Sequence, residues 1–484
     1  MKAVDSAVAS DVPSRLSRPT LGGALGVLVV AAGVAIGLRS LADNSFLTHL
    51  ATGRVILDTG SVPTHDSYTF TAAGEPWVVQ SWVASILYAA IERLGGLDAV
   101  RMLMGATTGL LAGLCWHLLR PAEGVISRLT VSAMALSVGG GLWSERPYLL
   151  GLLAFALVAL AAEGRISPIW LLAVGWLWVN THGSFPLGLV YLVVALVGGR
   201  LDGGDGAVEL RCLRWAVPGM LAGAIGPLGV GVLLFPLELL GRQDVLANVI
   251  EWQAPGFTSV AERAFLLQVM TAIVLLARRP SFRGAMVVSV FTAAALVGSR
   301  NVIVASLAML PTMAVALRGL GSVSSEDRPR YARLAGVAGG LLGLLVVVVR
   351  TGLPALNLEK YPVDVLAYLE EAQVDTREHR LAAPDIVGNF IGYVYGPDGR
   401  VFYDDRFDMF PDEVSSAALA IAHVESDVFD QLGRYHIDML TVPRTSPLAA
   451  LAVIDPAWRT LYQDEAWVLS CRRGAALAGT VGTC

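Results

Sequence analysis

The chain has 484 residues, 55% hydrophobic and 15% charged, with a mean hydropathy of +0.61. Soluble proteins carry nearer ~25% charge, so the composition excludes a string of soluble domains and indicates a mainly α-helical, polytopic membrane protein. The net charge of −5 is split: residues 1–354 hold 25 Lys+Arg against 20 Asp+Glu, and residues 355–484 hold 10 against 20. Neither part has the basic patch with interleaved aromatics that nucleic acid requires.

Crossing the hydrocarbon takes ~20 apolar residues. Apolar runs predict spans at about 21–38, 98–119, 126–143, 147–163, 167–181, 184–199, 213–232, 262–278, 284–298, 301–318 and 334–352. Cytoplasmic loops collect Arg and Lys. Lys2, Arg15 and Arg18 precede the first span, and alternate connections carry Arg120 with Arg128, Arg165, Arg200 with Arg211, Arg278 with Arg283, and Arg318 with Arg328. The short connections between them are nearly bare. The bias predicts a cytoplasmic N-terminus and an extracytoplasmic C-terminal domain. The first span is too long, and lacks the small-residue cleavage pattern, for a removed signal peptide.

Two outer connections, 39–97 and 233–261, exceed the ~12–15 residues of ordinary loops. Within the first, Gln80 to Leu94 has the pattern of an amphipathic helix along the membrane surface. Reading it as a further span would put the following arginine loops on the wrong side. Gly226-Pro227 is the one candidate for a broken helix. Residues 355–484 read as a small α/β domain: a helix over Pro362–Gln373, and strands at Val401–Tyr403, Ile437–Val442 and Thr460–Cys471, the last interrupted by Asp464-Glu465. Cys471 and Cys484 lie where a disulfide is allowed, and no cysteine spacing indicates a metal site.

The span interiors are nearly free of charge, and polar residues gather at the outer ends. Asp43 ends the first span and is followed by His49, Gly53-Arg54, Pro63, Asp66, Tyr68, Pro76-Trp77 and Gln80-Ser81-Trp82. Glu145-Arg146-Pro147, Asn180-Thr181-His182-Gly183, Glu251-Trp252, Arg300-Asn301 and Asp405-Arg406-Phe407-Asp408 come later. In this order, along nearly the whole chain, these motifs resemble the GT-C superfamily, polytopic glycosyltransferases that use polyprenyl-phosphate sugars. The pattern is nearest to uncharacterised bacterial members. The resemblance implies about eleven spans, a long first outer loop with surface helices and an outer C-terminal domain. It leads one to expect His-Glu-Trp where this chain has Gln80-Ser81-Trp82.

Sugar transfer from a lipid phosphate needs a base for the acceptor hydroxyl and cationic donors aimed at the departing phosphate. The resemblance makes Asp43 the candidate base by its place just past the first span. Asp66 is the competing base, a metal or acceptor ligand, or a turn aspartate after Pro63. Arg146 and Arg300 lie at outer ends, where charge sorting would not put them, and a guanidinium fork matches phosphate oxygens; Arg54 is third in line. His49 and His182 are candidates for phosphate or cation contact, or structural histidines. Glu251-Trp252 is a candidate acceptor contact, or Trp252 an interfacial anchor. Asp405 to Asp408 reads either as an acceptor contact or as a solvated turn with an internal Arg–Asp pair.

No phosphate-binding loop of the nucleotide type occurs, in keeping with a lipid-linked donor and a glycan or glycolipid acceptor. No cofactor is specified, and a divalent cation stays open. The rival readings are a lipid or glycan transporter, which would need midplane polar groups and inverted repeats, and a non-catalytic scaffold.

Overall fold

The computed structural model describes residues 20–242, 246–247, 249–320, 329–477 and 481–484. Lys2, Arg15, Arg18 and Arg328 lie outside the described residues. The membrane part is built from α1 (Leu21–Gly37), α2 (Asn44–Thr59), α3 (Trp82–Leu118), α4 (Val125–Leu142), α5 (Tyr148–Ala162), α6 (Leu171–Val179) and α7 (Pro186–Leu201). It continues through α8 (Ala207–Leu221), α9 (Gly231–Gly241), α10 (Val260–Arg278), α11 (Phe282–Val297), α12 (Val302–Ala316) and α13 (Pro329–Thr351).

Among the described residues five helices are long and apolar enough to cross a membrane, and shorter apolar helices cover the remaining expected spans except one. The exception is 213–232. There α8 begins at Ala207 and gives way to a single turn at Ala222–Ala224. Pro227 has no N–H to donate and disfavours helical backbone in the residue before it, so helix resumes only at Gly231 as α9. The expected long loop 233–261 therefore starts with a helix. Apolar side chains on α13 such as Val337, Leu341 and Leu344 are about three-fifths exposed, as a lipid-facing helix requires.

Backbones meet closely where side chains are small. A Cβ on Gly33 of α1 would lie 2.5 Å from the Ala112 methyl of α3. Helix α3 is broken at Gly95 and Gly96, the latter at φ 67°, so its first half, the expected surface helix, starts at Trp82 and turns away from the spanning half. Gly53 of α2 packs against the Ser85 carbonyl of that first half. Arg101, fully buried, donates to the carbonyls of Arg350 (2.9 Å) and Leu353 (2.8 Å), fixing where the chain leaves α13.

Beyond α13 lie α14 (Val363–Glu371), α15 (Asp385–Tyr395), α16 (Asp412–His423), α17 (Val428–Arg434) and α18 (Pro447–Ile454). They cover a sheet of β1 (Leu381–Ala382), β2 (Met439–Pro443), β3 (Trp458–Gln463) and β4 (Trp467–Arg472), in the order β1-β2-β4-β3. Only β1 and β2 are parallel. The β3–β4 hairpin turns at Asp464-Glu465, where Asp464 accepts the Ala466 and Trp467 N–H groups at 2.7 and 2.6 Å. A disulfide joins Cys471 to Cys484. The expected strand at Val401–Tyr403 does not enter the sheet. Val401 instead pairs with Thr69 of the first long loop, and the Phe402 ring packs on Phe70 at 5.9 Å. That loop and the C-terminal domain are interlocked.

Candidate active site

Where α1 gives way to α2, Asp43 caps α2 by accepting the Ser45 N–H at 3.0 Å. Both Asp43 carboxylate oxygens also take the Arg146 Nε–H, at 2.8 and 2.7 Å. Glu145, beside Arg146 in the α4–α5 turn, accepts the backbone N–H groups of Ala42 and Asp43, the latter at 2.6 Å. The other side of the Arg146 guanidinium pairs with Glu251. Glu251 and Trp252 sit on a short turn, Ile250–Trp252, after α9, and Trp252 lies under Arg300 with 4.3 Å from guanidinium carbon to ring centre. Four chain segments far apart in sequence thus meet through two arginines.

These groups border a cavity of about 430 Å³ between the membrane helices and the C-terminal domain. His49, Arg146, His182, Glu251, Trp252 and Arg300 all line it. Asp43 does not; it is joined to the lining through Arg146 and the Ser45 N–H. Asp66 and Arg54 are elsewhere. Asp66 is buried, accepting the Tyr68 and Thr69 N–H groups (3.1 Å each) and the Thr69 hydroxyl (2.6 Å), and pairing with Arg406 at 2.8 Å. Arg54 pairs with Glu92 of α3 at 2.8 Å and donates to the Tyr393 carbonyl at 2.9 Å, holding α2, α3 and α15 together.

Other lining residues had weaker signals in the sequence. Asp405, from the loop after Val401, accepts hydroxyls from Ser45 and from Thr48 (3.1 Å), both on α2. Asp408 and Phe407 close the same side, and Phe235 and Leu239 of α9 form an apolar wall. Of the acidic run, only Asp404 makes the expected internal pair with Arg406, at 2.6 Å, while Asp405 and Asp408 face the cavity. Gln80 and Ser81 reach it too, and Gln80 Nε2 donates to the Val179 carbonyl at 2.7 Å. Where His-Glu was expected, the wall is neutral. The α9 and Ser45 contributions follow no motif, and only the chain path reveals them.

Burial governs the charge states. It holds the His49 imidazole down to about 4, helped by the Arg146 charge and opposed by Asp43. The same effect, with Arg300 adding to it, keeps His182 well below its ordinary range, so both rings are neutral at pH 7. The Ser184 N–H donates to His182 Nδ1 at 3.1 Å, leaving the ring proton on Nε2. Burial pushes the Asp408 carboxyl up to about 6, and with Asp405 nearby does the same to Asp385. Among the described residues no group of three or more His, Cys, Asp or Glu is gathered to hold a metal ion.

No protein-family model matches the chain, and no curated protein sequence does. Solved structures do. The oligosaccharyltransferase of Archaeoglobus fulgidus, crystallised with a tethered acceptor peptide containing the NVT sequon, is 12% identical and superposes with a TM-score of 0.55, covering 87% of this chain and 69% of its own. ArnT from Cupriavidus metallidurans, bound to undecaprenyl phosphate, is also 12% identical and covers 92% and 97%, at a TM-score of 0.39 that is too low to bear on the fold. The architecture and the first of these likenesses agree: the chain is a polytopic, mainly helical membrane protein with a fold like that of the archaeal oligosaccharyltransferase.

Proposed function

We propose that this protein is a glycosyltransferase moving a sugar from a polyprenyl-phosphate donor to a hydroxyl of a glycan or glycolipid, on the extracytoplasmic side of a bacterial membrane. The observation that carries this is the meeting of Arg146 and Arg300 with the carboxylate of Asp405 in one cavity. The arginines suit the donor phosphate, since a planar fork binds phosphate oxygens in pairs and is most effective where water is excluded. In the transfer, the acceptor oxygen bonds to the anomeric carbon as the bond from that carbon to the phosphate oxygen breaks. Its electron pair goes to the polyprenyl phosphate, and the hydroxyl proton goes to a carboxylate.

Asp405 is the carboxylate at hand, because it faces the cavity and accepts from the Ser45 and Thr48 hydroxyls. Asp43 then serves to hold Arg146 in place. A second reading keeps Asp43 as the base. It is favoured by the shared Arg146 contact, since a phosphate drawing Arg146 toward the cavity would free Asp43 Oδ2 while Oδ1 keeps the Ser45 N–H.

The test is transfer by the stably inserted protein in nanodiscs, over a panel of radiolabelled polyprenyl-phosphate sugars. A general base contributes ~10²–10⁴-fold, so Asp405→Asn is expected to lose at least a hundredfold in kcat and Asp43→Asn mainly donor affinity. The reverse pattern supports Asp43. Wild-type protein that transfers from no donor would instead support the scaffold reading.

A further inference from the structure

A second cavity of about 560 Å³ adjoins the first, and Ser45, Arg146, Val249, Glu251, Asp405 and Phe407 line both. Those six residues therefore form the neck between them. Beyond the neck the walls change character. Phe402, Ile421, Val442 and Leu448 are all buried core side chains, and Ala418 and Ala422 present one face of α16, being four residues apart. Tyr403 and Ser446 also line these walls, and the Ser446 hydroxyl is engaged in capping α18, accepting the Ala449 N–H at 3.1 Å. Near the neck the Asn44 amide donates to Asp385 at 3.3 Å, while Asn44 Oδ1 is buried with no donor.

We infer that this chamber holds the apolar body of the acceptor, with its reacting hydroxyl at the neck beside Asp405. The inference rests on the glycosyltransferase reading and narrows it: the acceptor is an amphiphile bearing a hydroxyl, not a free oligosaccharide. Each hydroxyl buried without a partner costs ~1–3 kcal/mol, and the far walls offer a sugar almost nothing to bond. An alkyl or isoprenoid body gains from the same walls, at ~25 cal/mol per Å² removed from water. The volume is in the range of ordinary small-molecule sites, ~300–1,000 Å³. The orphan Asn44 Oδ1 offers a further place for a hydroxyl donor.

The probe is a ten-carbon primary alcohol carrying a mid-chain diazirine, photolysed with full-length protein in nanodiscs and mapped by mass spectrometry. Labelling is expected on the 418–422 and 442–448 segments, competed by unlabelled decanol. Ala422→Trp and, as a gentler second filling, Ala418→Leu are each expected to cut it at least fivefold while α13 stays labelled from the lipid. Absent labelling of both segments in the wild type, or labelling unaffected by either filled variant, overturns the inference. The transfer assay is separate. Transfer to a free oligosaccharide that survives Ala418→Leu sinks the chamber's role and leaves the glycosyltransferase reading intact, whereas labelling without any transfer sinks that reading first.

Discussion

Arg406 Nη2 lies 2.8 Å from Asp66 Oδ1, and this buried ion pair ties the first long loop to the C-terminal domain. The guanidinium also pairs with Asp404 and is flanked by the Tyr68 and Trp77 rings, 4.8 and 4.4 Å from its carbon to their centres. The pair sets one wall of the 430 Å³ cavity, since Asp405 and Phe407 stand on either side of Arg406 in sequence. Removing one partner of a buried pair costs ~3–5 kcal/mol because a charge is left uncompensated. Asp404 remains to Arg406, so Asp66→Ala is expected at about 3 kcal/mol. The measurement is thermal unfolding in detergent, with limited proteolysis after α13 as a second readout. An Asp66→Ala protein that unfolds like the wild type would show that the two parts are held by other contacts.

Arg146→Lys and Arg300→Lys keep the charge and lose the fork. Each is expected to raise the donor KM by tenfold or more. Arg146→Lys should be the more severe, because Arg146 also carries Asp43 and Glu251. Steady-state kinetics with the donor varied at saturating acceptor checks both.

Donor affinity should depend on pH. The Asp408 carboxyl, pushed up to about 6 by burial, gains a negative charge as pH rises through 6. Added negative charge on the cavity wall disfavours an anionic phosphate, so donor KM is expected to rise between pH 5 and ~7.5. Asp408→Asn should flatten the profile, and a profile unchanged by the substitution would remove Asp408 as its source.

Stability carries opposite signs at two sites. The folded value for Asp408 is above its ordinary 3.8, so the native state binds the extra proton and stability is lost as pH rises from about 4 to 6. His49, held at about 4 against an ordinary 6.5, loses stability as pH falls across that interval. Asp408→Asn is therefore expected to raise Tm more at pH 7 than at pH 4.5, and His49→Gln to protect against acid, both read by calorimetry.

The Cys471–Cys484 disulfide reports the side of the membrane. Such bonds persist outside the cytoplasm and are reduced within it. In protein denatured without reductant, alkylation is expected to reach only Cys115 and Cys212, with all four cysteines reacting after reduction. Full alkylation without reductant would place the C-terminal domain in the cytoplasm.

Much of this protein was legible before folding because a bilayer imposes local rules. An apolar run of sufficient length must be helical, as no water is there to satisfy its backbone. The helices over 126–143 and 262–278, and the glycine break after Leu94, follow from that. Charges kept out of the hydrocarbon collect at helix ends, which is why Arg146, His182, Glu251 and Arg300 were visible as candidates. The broken segment at Gly226-Pro227 was readable as a proline effect, but not the wall that α9 goes on to form.

Local rules could not say which helix ends meet. Asp43 and Asp66 had similar claims as bases in sequence, and tertiary structure separated them. One became the partner of an arginine 103 residues away, the other the anchor of the C-terminal domain. Asp405 resembled a solvated turn until the Thr69–Val401 pairing drew that loop over α2 and set its carboxylate against Ser45 and Thr48. Hydropathy and charge sorting act on each segment alone, so composition determined the membrane architecture. The cavity depends on contacts between segments hundreds of residues apart, and only close packing of the folded chain decides those.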